Sequence, residues 1–325
     1  MSLSRSGLSV IALVCMLCGI PANTWAQNYP SRIVRMMVAF SAGSGTDLVG
    51  RIIAGGLTEV FGQQVIVDNR AGASGNIGAE LIAKAPPDGY SLLLVNISYA
   101  ANATLYRNLS YDLQRDFAPV TQFATGPYIV VTHPSLPVRS FGEFVKLTRS
   151  RPGAVIYSSG GNGTATFMAA ELFKAQAGVN MMHVPYKSGT EALTAVLAGE
   201  VATHFAPLAT ALPQIKQGRL RALAVSSAKR LPLAPEYATI AESGYPGYEF
   251  GNWYGLLVPA KTPRETISVL RGATIKTLNN PVVNRRLTDL GYVTVGDQPE
   301  EFGAYIKVQV DKLAKIIKAL DLKAE

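Results

Sequence analysis

The sequence predicts an α/β protein of two lobes, each a mostly parallel sheet flanked by helices. Three observations predict it. Short apolar strands alternate with amphipathic helices, and βαβα order builds parallel sheets covered on both faces. The alternation starts again after residue 150, so the chain carries it twice. Two segments, 130–134 and 244–259, look like crossings between lobes, which makes the inner stretch a lobe inserted in the outer one.

The elements follow in order. Strands are expected at 33–38, 65–67 and 92–95. Between them, helix 47–61 sets Leu48, Ile52, Ile53, Leu57, Val60 and Phe61 at helical spacing, and helix 76–84 ends before Pro86 and Pro87. The second run has strands 155–157, 182–184, 201–205 and 221–225, with helices 165–177, 191–198 and 209–217. Helices beginning near Pro263, Pro281 and Pro299 return to the first lobe. Lobe 1 is then 27–130 plus 256–325, lobe 2 is 131–255, and the ligand cleft lies between them.

Arg5, an apolar run over 8–20, and the small residues Thr24 and Ala26 predict a signal peptide, 1–26, cleaved before Gln27 and directing export to the periplasm. The run is shorter than the roughly 20 residues a spanning helix needs. Both cysteines, Cys15 and Cys18, fall inside it, and Val14 and Leu17 before them argue against lipidation. The exported chain therefore has no thiol, disulfide or cysteine metal site. An apolar fraction of 48% fits a globular protein. The net charge of +8 is scattered. Its densest set, Lys307, Lys312, Lys315, Lys318 and Lys323, is the wet face of a helix whose buried face is Phe302, Ile306, Leu313, Ile317 and Leu320. This pattern argues for solubility and mild attraction of anions, not for nucleic acid.

Three loops carry the functional signal. The first holds Ser41, Ala42, Gly43, Ser44, Gly45, Thr46 and Asp47, between a strand and a helix. Glycines free the backbone to turn, and a helix N-terminus attracts an anion. Thr46 and Asp47 also suit helix capping, the plain structural alternative. A dinucleotide fingerprint would need glycine where Leu48 stands, and no P-loop lysine follows. The second loop holds Ser158, Ser159, Gly160, Gly161, Asn162, Gly163 and Thr164; the third holds Tyr186, Lys187, Ser188, Gly189 and Thr190. Each leaves the carboxyl end of a strand, where open α/β sheets bind ligands. Catalytic patterns fail: there is no Gly-x-Ser-x-Gly elbow, and His133, His183 and His204 lack metal-ligand spacing. His183 and His204 are expected to pack near strand ends. No cofactor, no metal and no enzymatic activity are expected.

With these residues identified, the chain resembles the Bug family of substrate-binding proteins, the extracytoplasmic receptors of tripartite tricarboxylate transporters. The resemblance rests on blocks in order along the chain. They are Tyr29-Pro30, Phe40 with Gly43 and Gly45-Thr46-Asp47, Asp68-Asn69-Arg70-Ala71-Gly72-Ala73 with Gly75-Asn76-Ile77-Gly78-Ala79, Pro87-Asp88-Gly89-Tyr90 and Asp116-Phe117-Ala118-Pro119-Val120. Glu171-Leu172-Phe173, His183-Val184-Pro185-Tyr186-Lys187, Leu212-Pro213-Gln214-Ile215 and Trp253-Tyr254-Gly255 follow. The resemblance implies a type II Venus-flytrap fold, an organic-acid ligand held by loop amides and hydroxyls, and a permease with large and small membrane subunits; a monomer is expected. It places ligand contacts on Phe40 through Asp47, around Ser98 and Asn102, on Ser158 through Thr164, and on Tyr186, Lys187 and Ser188.

The chain departs from the family's pattern. Ala39, Ser41 and Ala42 replace usual prolines, Ser44 a usual glycine and Phe167 a common histidine. Ala206 stands where many members have an aspartate able to pair with a ligand ammonium, which argues for a dicarboxylate or aromatic carboxylate over an amino acid. Two alternatives share the fold: an enzyme acting on a carboxylic acid, and a sensor subunit for a membrane kinase.

Overall fold

The computed structural model describes residues 29–323; the expected signal peptide lies outside them. Strand β1 (Val34–Val38) is buried at every position except Arg35, so an unbroken apolar run suits it. Strands β2 (Val65–Asn69) and β3 (Ser91–Asn96) flank it in parallel. Helix α1 (Gly45–Phe61) links β1 to β2, and α2 (Asn76–Ala83) links β2 to β3. Helix α1 starts two residues before the expected position because the Ser44 hydroxyl caps it, accepting the Asp47 N–H at 3.3 Å. Helix α3 (Ile97–Leu105) follows β3 directly.

The longest strand, β4 (Phe117–Thr132), went unassigned in the sequence because Pro119, Gly126 and Pro127 interrupt its apolar pattern. It belongs to two ladders. Its first part, as far as Pro127, pairs antiparallel with β9 (Gly251–Pro259), which in turn lies antiparallel to β3. Its remainder, from Tyr128, pairs antiparallel with β7 (Thr203–Pro207) and β8 (Arg221–Val225). Beyond β7 come β5 (Ile156–Ser159) and β6 (Met182–Pro185), both parallel. The two-lobed fold thus has a parallel βαβ block at each outer side and antiparallel strands where the chain passes between them. The short β10 (Val293–Thr294) pairs with β4.

In the second lobe, α4 (Phe141–Ser150) precedes β5, and α5 (Ala165–Ala177) joins β5 to β6. Helix α6 (Gly189–Leu197) joins β6 to β7, and α7 (Leu208–Lys216) joins β7 to β8. β7 begins at Thr203 and not at 201, because the Glu200 and Val201 amides still bond the Ala195 carbonyl as the chain leaves α6. Helices α8 (Arg264–Asn279), α9 (Pro281–Asp289) and α10 (Pro299–Ala319) complete the first lobe. Proline opens the first turn of α9 and α10, where its missing N–H costs nothing.

The C-terminal helix shows the expected two faces: Phe302, Ile306, Leu313 and Ile317 are buried, whereas Leu320 is only half-buried at the helix end. Trp253 packs edge-on against Phe302 and Tyr305, with ring centroids 5.8 Å apart in each pair. Glycine is required at 255, because a Cβ there would stand 2.2 Å from Phe302 Cζ. Among the described residues no helix is long and apolar enough to cross a membrane.

Candidate functional site

Between the lobes lies a cavity of about 920 Å³. Five helices of eight or more residues bring their N-terminal turns to it. From the first lobe come α1, with Ser44, Gly45 and Thr46, and α3, with Asn96 and Ser98. From the second come α5, with Thr164 to Thr166, α6, with Ser188 to Thr190, and α7, with Pro207, Ala209 and Thr210. First-turn amides have no intrahelical acceptor, so each end offers N–H donors and a partial positive charge. No Asp or Glu lines the cavity, and Lys187, exposed at the rim, is the one cationic side chain that does, among the described residues. Tyr106, Tyr128, Tyr186 and Tyr254 also line it. Burial pushes the Tyr128 and Tyr254 hydroxyls well above their ordinary pKa, so both stay neutral at any physiological pH.

The two walls touch. The Ser74 hydroxyl donates to the Asn162 carbonyl at 2.5 Å, and the Ala165 amide donates to Ser98 Oγ at 3.1 Å. A Cβ on Gly45 would lie 3.0 Å from Pro207 Cβ across the cleft, and one on Gly160 2.8 Å from the Gly189 nitrogen within the second lobe, so glycine permits both approaches. Ala73 and Ser74 hold φ of 45° and 53°, a left-handed conformation that costs free energy in a non-glycine residue. Asn102 fixes this turn by donating to the Ser74 carbonyl at 3.0 Å and to Asn76 Oδ1 at 2.8 Å.

The family model for the tripartite tricarboxylate transporter family receptor matches residues 49–322. The chain belongs to this receptor family. Among its relatives, a protein from the tcbD-tcbE intergenic region of Pseudomonas sp. (strain P51) is 36% identical over 93% of this chain and 91% of its own length. BugT of Bordetella pertussis is 31% identical over 97% and 98%. Among solved structures, an R. palustris protein with adipate superposes with a TM-score of 0.88 at 33% identity, covering 91% of this chain and 99% of that one. MatC from Rhodopseudomonas palustris, with bound malate, has a TM-score of 0.84 at 27% identity, covering 89% and 100%. The periplasmic binding protein BugD scores 0.88 at 30% identity over 91% and 100%.

Within this receptor framework the residues singled out from the sequence divide into two groups. Phe40, Ser41, Gly43, Ser44, Thr46, Ser98, Gly160, Asn162, Thr164, Tyr186, Lys187 and Ser188 all line the cavity. The others do not, for physical reasons. Ala42 is the exposed tip of its loop. Asp47 faces away, accepting from Gly43 N–H and Arg51 Nε at 2.8 Å each and from Asn69 at 2.9 Å. Burial alone would raise its carboxyl, yet the Arg51, Gly43 and Asn69 hydrogen bonds hold it below the usual carboxylate range. Asp47 is therefore a brace for the loop. Asn102 is fully buried behind Ser74, and Gly163 packs against it, where a Cβ would stand 2.7 Å from Asn102 Oδ1.

Ser158 is spent on the Ala192 carbonyl at 2.9 Å, and Ser159 pairs with His183 Nε2 at 2.6 Å and accepts the Gly161 amide at 3.0 Å. Ala206 is the largest correction. It has no exposed surface and packs in the apolar cluster of Ile129, Val131, Leu193 and Leu208, because β7 is covered on both faces, with Phe205 buried in a separate cluster. His183 and His204 are packed side chains. His183 stacks on Tyr157, 4.7 Å between centroids, and burial lowers each imidazole to a pKa of about 4.

Several lining residues escaped the sequence reading. Asn96 ends β3 and caps α3, the position that the three loops occupy on other strands; that recurrence was the available signal. Asn252 and Tyr254 arrive from β9; Tyr254 stands in the Trp253-Tyr254-Gly255 block of the resemblance, yet no loop signal marks either as lining. The left-handed turn at 73–75 had a cue in its glycines, Gly72 and Gly75.

Proposed function

We propose that this chain is a periplasmic receptor that captures a small organic carboxylate, a dicarboxylate or an aromatic carboxylate, and delivers it unchanged to a tripartite tricarboxylate-type permease with large and small membrane subunits. One observation carries the proposal: among the described residues, five helix N-termini and no carboxylate face one cavity. Each end contributes roughly 0.3–1 kcal/mol to a bound anion, up to ~2 where water is excluded. Charge-assisted hydrogen bonds from Thr46, Ser98 and the loop amides add to this. Micromolar affinity, about −8 kcal/mol, is then within reach without a buried salt bridge. The adipate and malate held by two relatives support the same ligand chemistry.

The lining also favours binding over catalysis. Its titratable side chains are Lys187 at the rim and four tyrosines, a set without a paired acid and base. The signal peptide at 1–26 accounts for export. We place the lobe junctions at 127–128 and 250–251, where β4 changes partners and β9 begins, a few residues ahead of the 130–131 and 255–256 expected from sequence. Closure is a hinge motion about these two strands.

The test is a thermal-shift screen of mono-, di- and tricarboxylates, aromatic acids included, on the exported chain. A matching acid at about 100 times its Kd should stabilise by about 2.7 kcal/mol. The same acid, incubated and recovered by chromatography, should be unchanged. No stabilising acid, or a new product, overturns the proposal.

A further inference from the structure

The cavity does not stop at the helix N-termini. Its lining continues along one face of α6, through Thr190, Leu193, Thr194 and Leu197, and along α7 to Pro213 and Gln214. At 1.5 Å per residue, the run from the start of α6 to Leu197 spans roughly 12 Å. That is far longer than the carbon chain of a four-carbon diacid. The chemistry of this arm differs from that of the loops. Leu193, Leu197 and Pro213 are apolar, and among the described residues no charged side chain lines it. Gln214 supplies one neutral amide, whose Oε1 is buried without a hydrogen-bond partner among the described residues. The arm also runs toward the C-terminal ends of α6 and α7, where the helix dipoles place partial negative charge and disfavour a second carboxylate.

We infer that the arm between α6 and α7 holds the uncharged, apolar body of the ligand, so that the receptor's substrate class is an elongated acid with one charged end. The carboxylate sits at the helix N-termini, and an alkyl or aryl body lies along Leu193 and Leu197. This rests on the carboxylate reading above and narrows it. The cavity's size agrees, since about 920 Å³ is the upper range of pockets that enclose drug-sized ligands.

Calorimetry on the exported chain tests it with two ligand series, unbranched monocarboxylates of increasing length and diacids of matching length. Monoacid affinity should rise about three- to fourfold per added methylene until the arm is full. Diacids should not follow that rise, because their far carboxylate would enter apolar surroundings. Leu197→Asp should weaken the longest monoacid far more than the shortest. Thr194→Asp, at an exposed position on the same face, repeats the measurement should Leu197→Asp fold poorly. Short diacids binding best, with monoacid affinity flat or falling with length, would overturn the inference and leave the carboxylate receptor standing. Long acids unaffected by Leu197→Asp and Thr194→Asp would also overturn it. If no acid of either series binds and no aromatic acid of the thermal-shift screen does, both readings fall together.

Discussion

Thr46→Val isolates the direct contribution of a helix N-terminus to binding. Thr46 lines the cavity at the second position of α1 and is only 6% exposed. Its Oγ1 accepts from Asn96 Nδ2 at 3.1 Å, while its hydroxyl proton meets no protein acceptor among the described residues. That proton is free for an anion in the cavity. Valine keeps the shape and removes the donor. A hydrogen bond to a charged group contributes about 1.5–3 kcal/mol, so the ligand Kd should rise roughly 10- to 150-fold. Asn96 also loses its acceptor, which should cost about 1 kcal/mol of folding stability. Thr164→Val is the control. The Thr164 hydroxyl already donates to the Gly161 carbonyl at 2.6 Å, so its loss acts through the loop and should cost about two- to tenfold in Kd. Isothermal titration of the three proteins, using the acid that best stabilises the parent, gives the comparison. A Thr46→Val variant that binds like the parent, or one less affected than Thr164→Val, would refute this account of the site.

Two further outcomes follow from the packing. Ala206→Asp should destabilise the fold by at least about 3 kcal/mol in a urea melt, because it places an unpaired carboxylate in an apolar cluster; an unchanged melt with a new preference for ammonium-bearing ligands would show that position 206 does face the cavity. Stability should also fall with acidification in a defined window. His204 Nδ1 bonds the Ser158 carbonyl at 2.8 Å, its Nε2 is buried without a partner, and burial lowers its pKa from 6.5 to about 4. A depressed histidine stabilises the fold fully above its unfolded value. That contribution, about 3 kcal/mol, drains away as pH falls from 6.5 to about 4. His183, lowered by burial to about 4 as well, acts over the same window, so His204→Gln should reduce this dependence in denaturant melts without abolishing it, and an identical slope in the variant would exclude His204 as a source.

Strand and helix order was legible because burial imposes a clear period on each segment. The run Leu92, Leu93, Leu94, Val95 is too short for a helix and follows Pro86, Pro87 and Gly89, so it reads as a buried strand, and the apolar stripe of α1 reads as a helix. β4 was not legible: its prolines and glycine break the pattern at the point where it passes from one sheet to the next, and tertiary pairing overrides local propensity there. The site divided in the same way. Loops at strand ends declare themselves through Ser, Gly and Thr, so most of the anion-binding lining was found. What could not be read was side-chain direction. Asp47, Ser158 and Asn102 sit in the right segments and turn their polar atoms toward the protein, a choice made by partners 22, 34 and 28 positions away in sequence. Ala206 shows the same limit for β7, which is buried on both faces and meets the cavity only at its end, through Pro207.

The passage of β4 between the two sheets has a mechanical consequence. At the junction, Gly126 lies opposite Asn252 and Pro127 opposite Gly251. Pro127 has no N–H to give to a ladder, and the glycines on either strand contribute no side chain that must slide past a neighbour. The paired strands therefore act as a flexure: stiff along their length, compliant in bending at one narrow section. Asn252 sits in that section and also lines the cavity, donating to Tyr254 Oη at 3.0 Å and accepting the Ile97 amide at 3.2 Å. The bending section and the binding surface thus share a side chain, so a solute that engages Asn252 touches the joint as well as the wall.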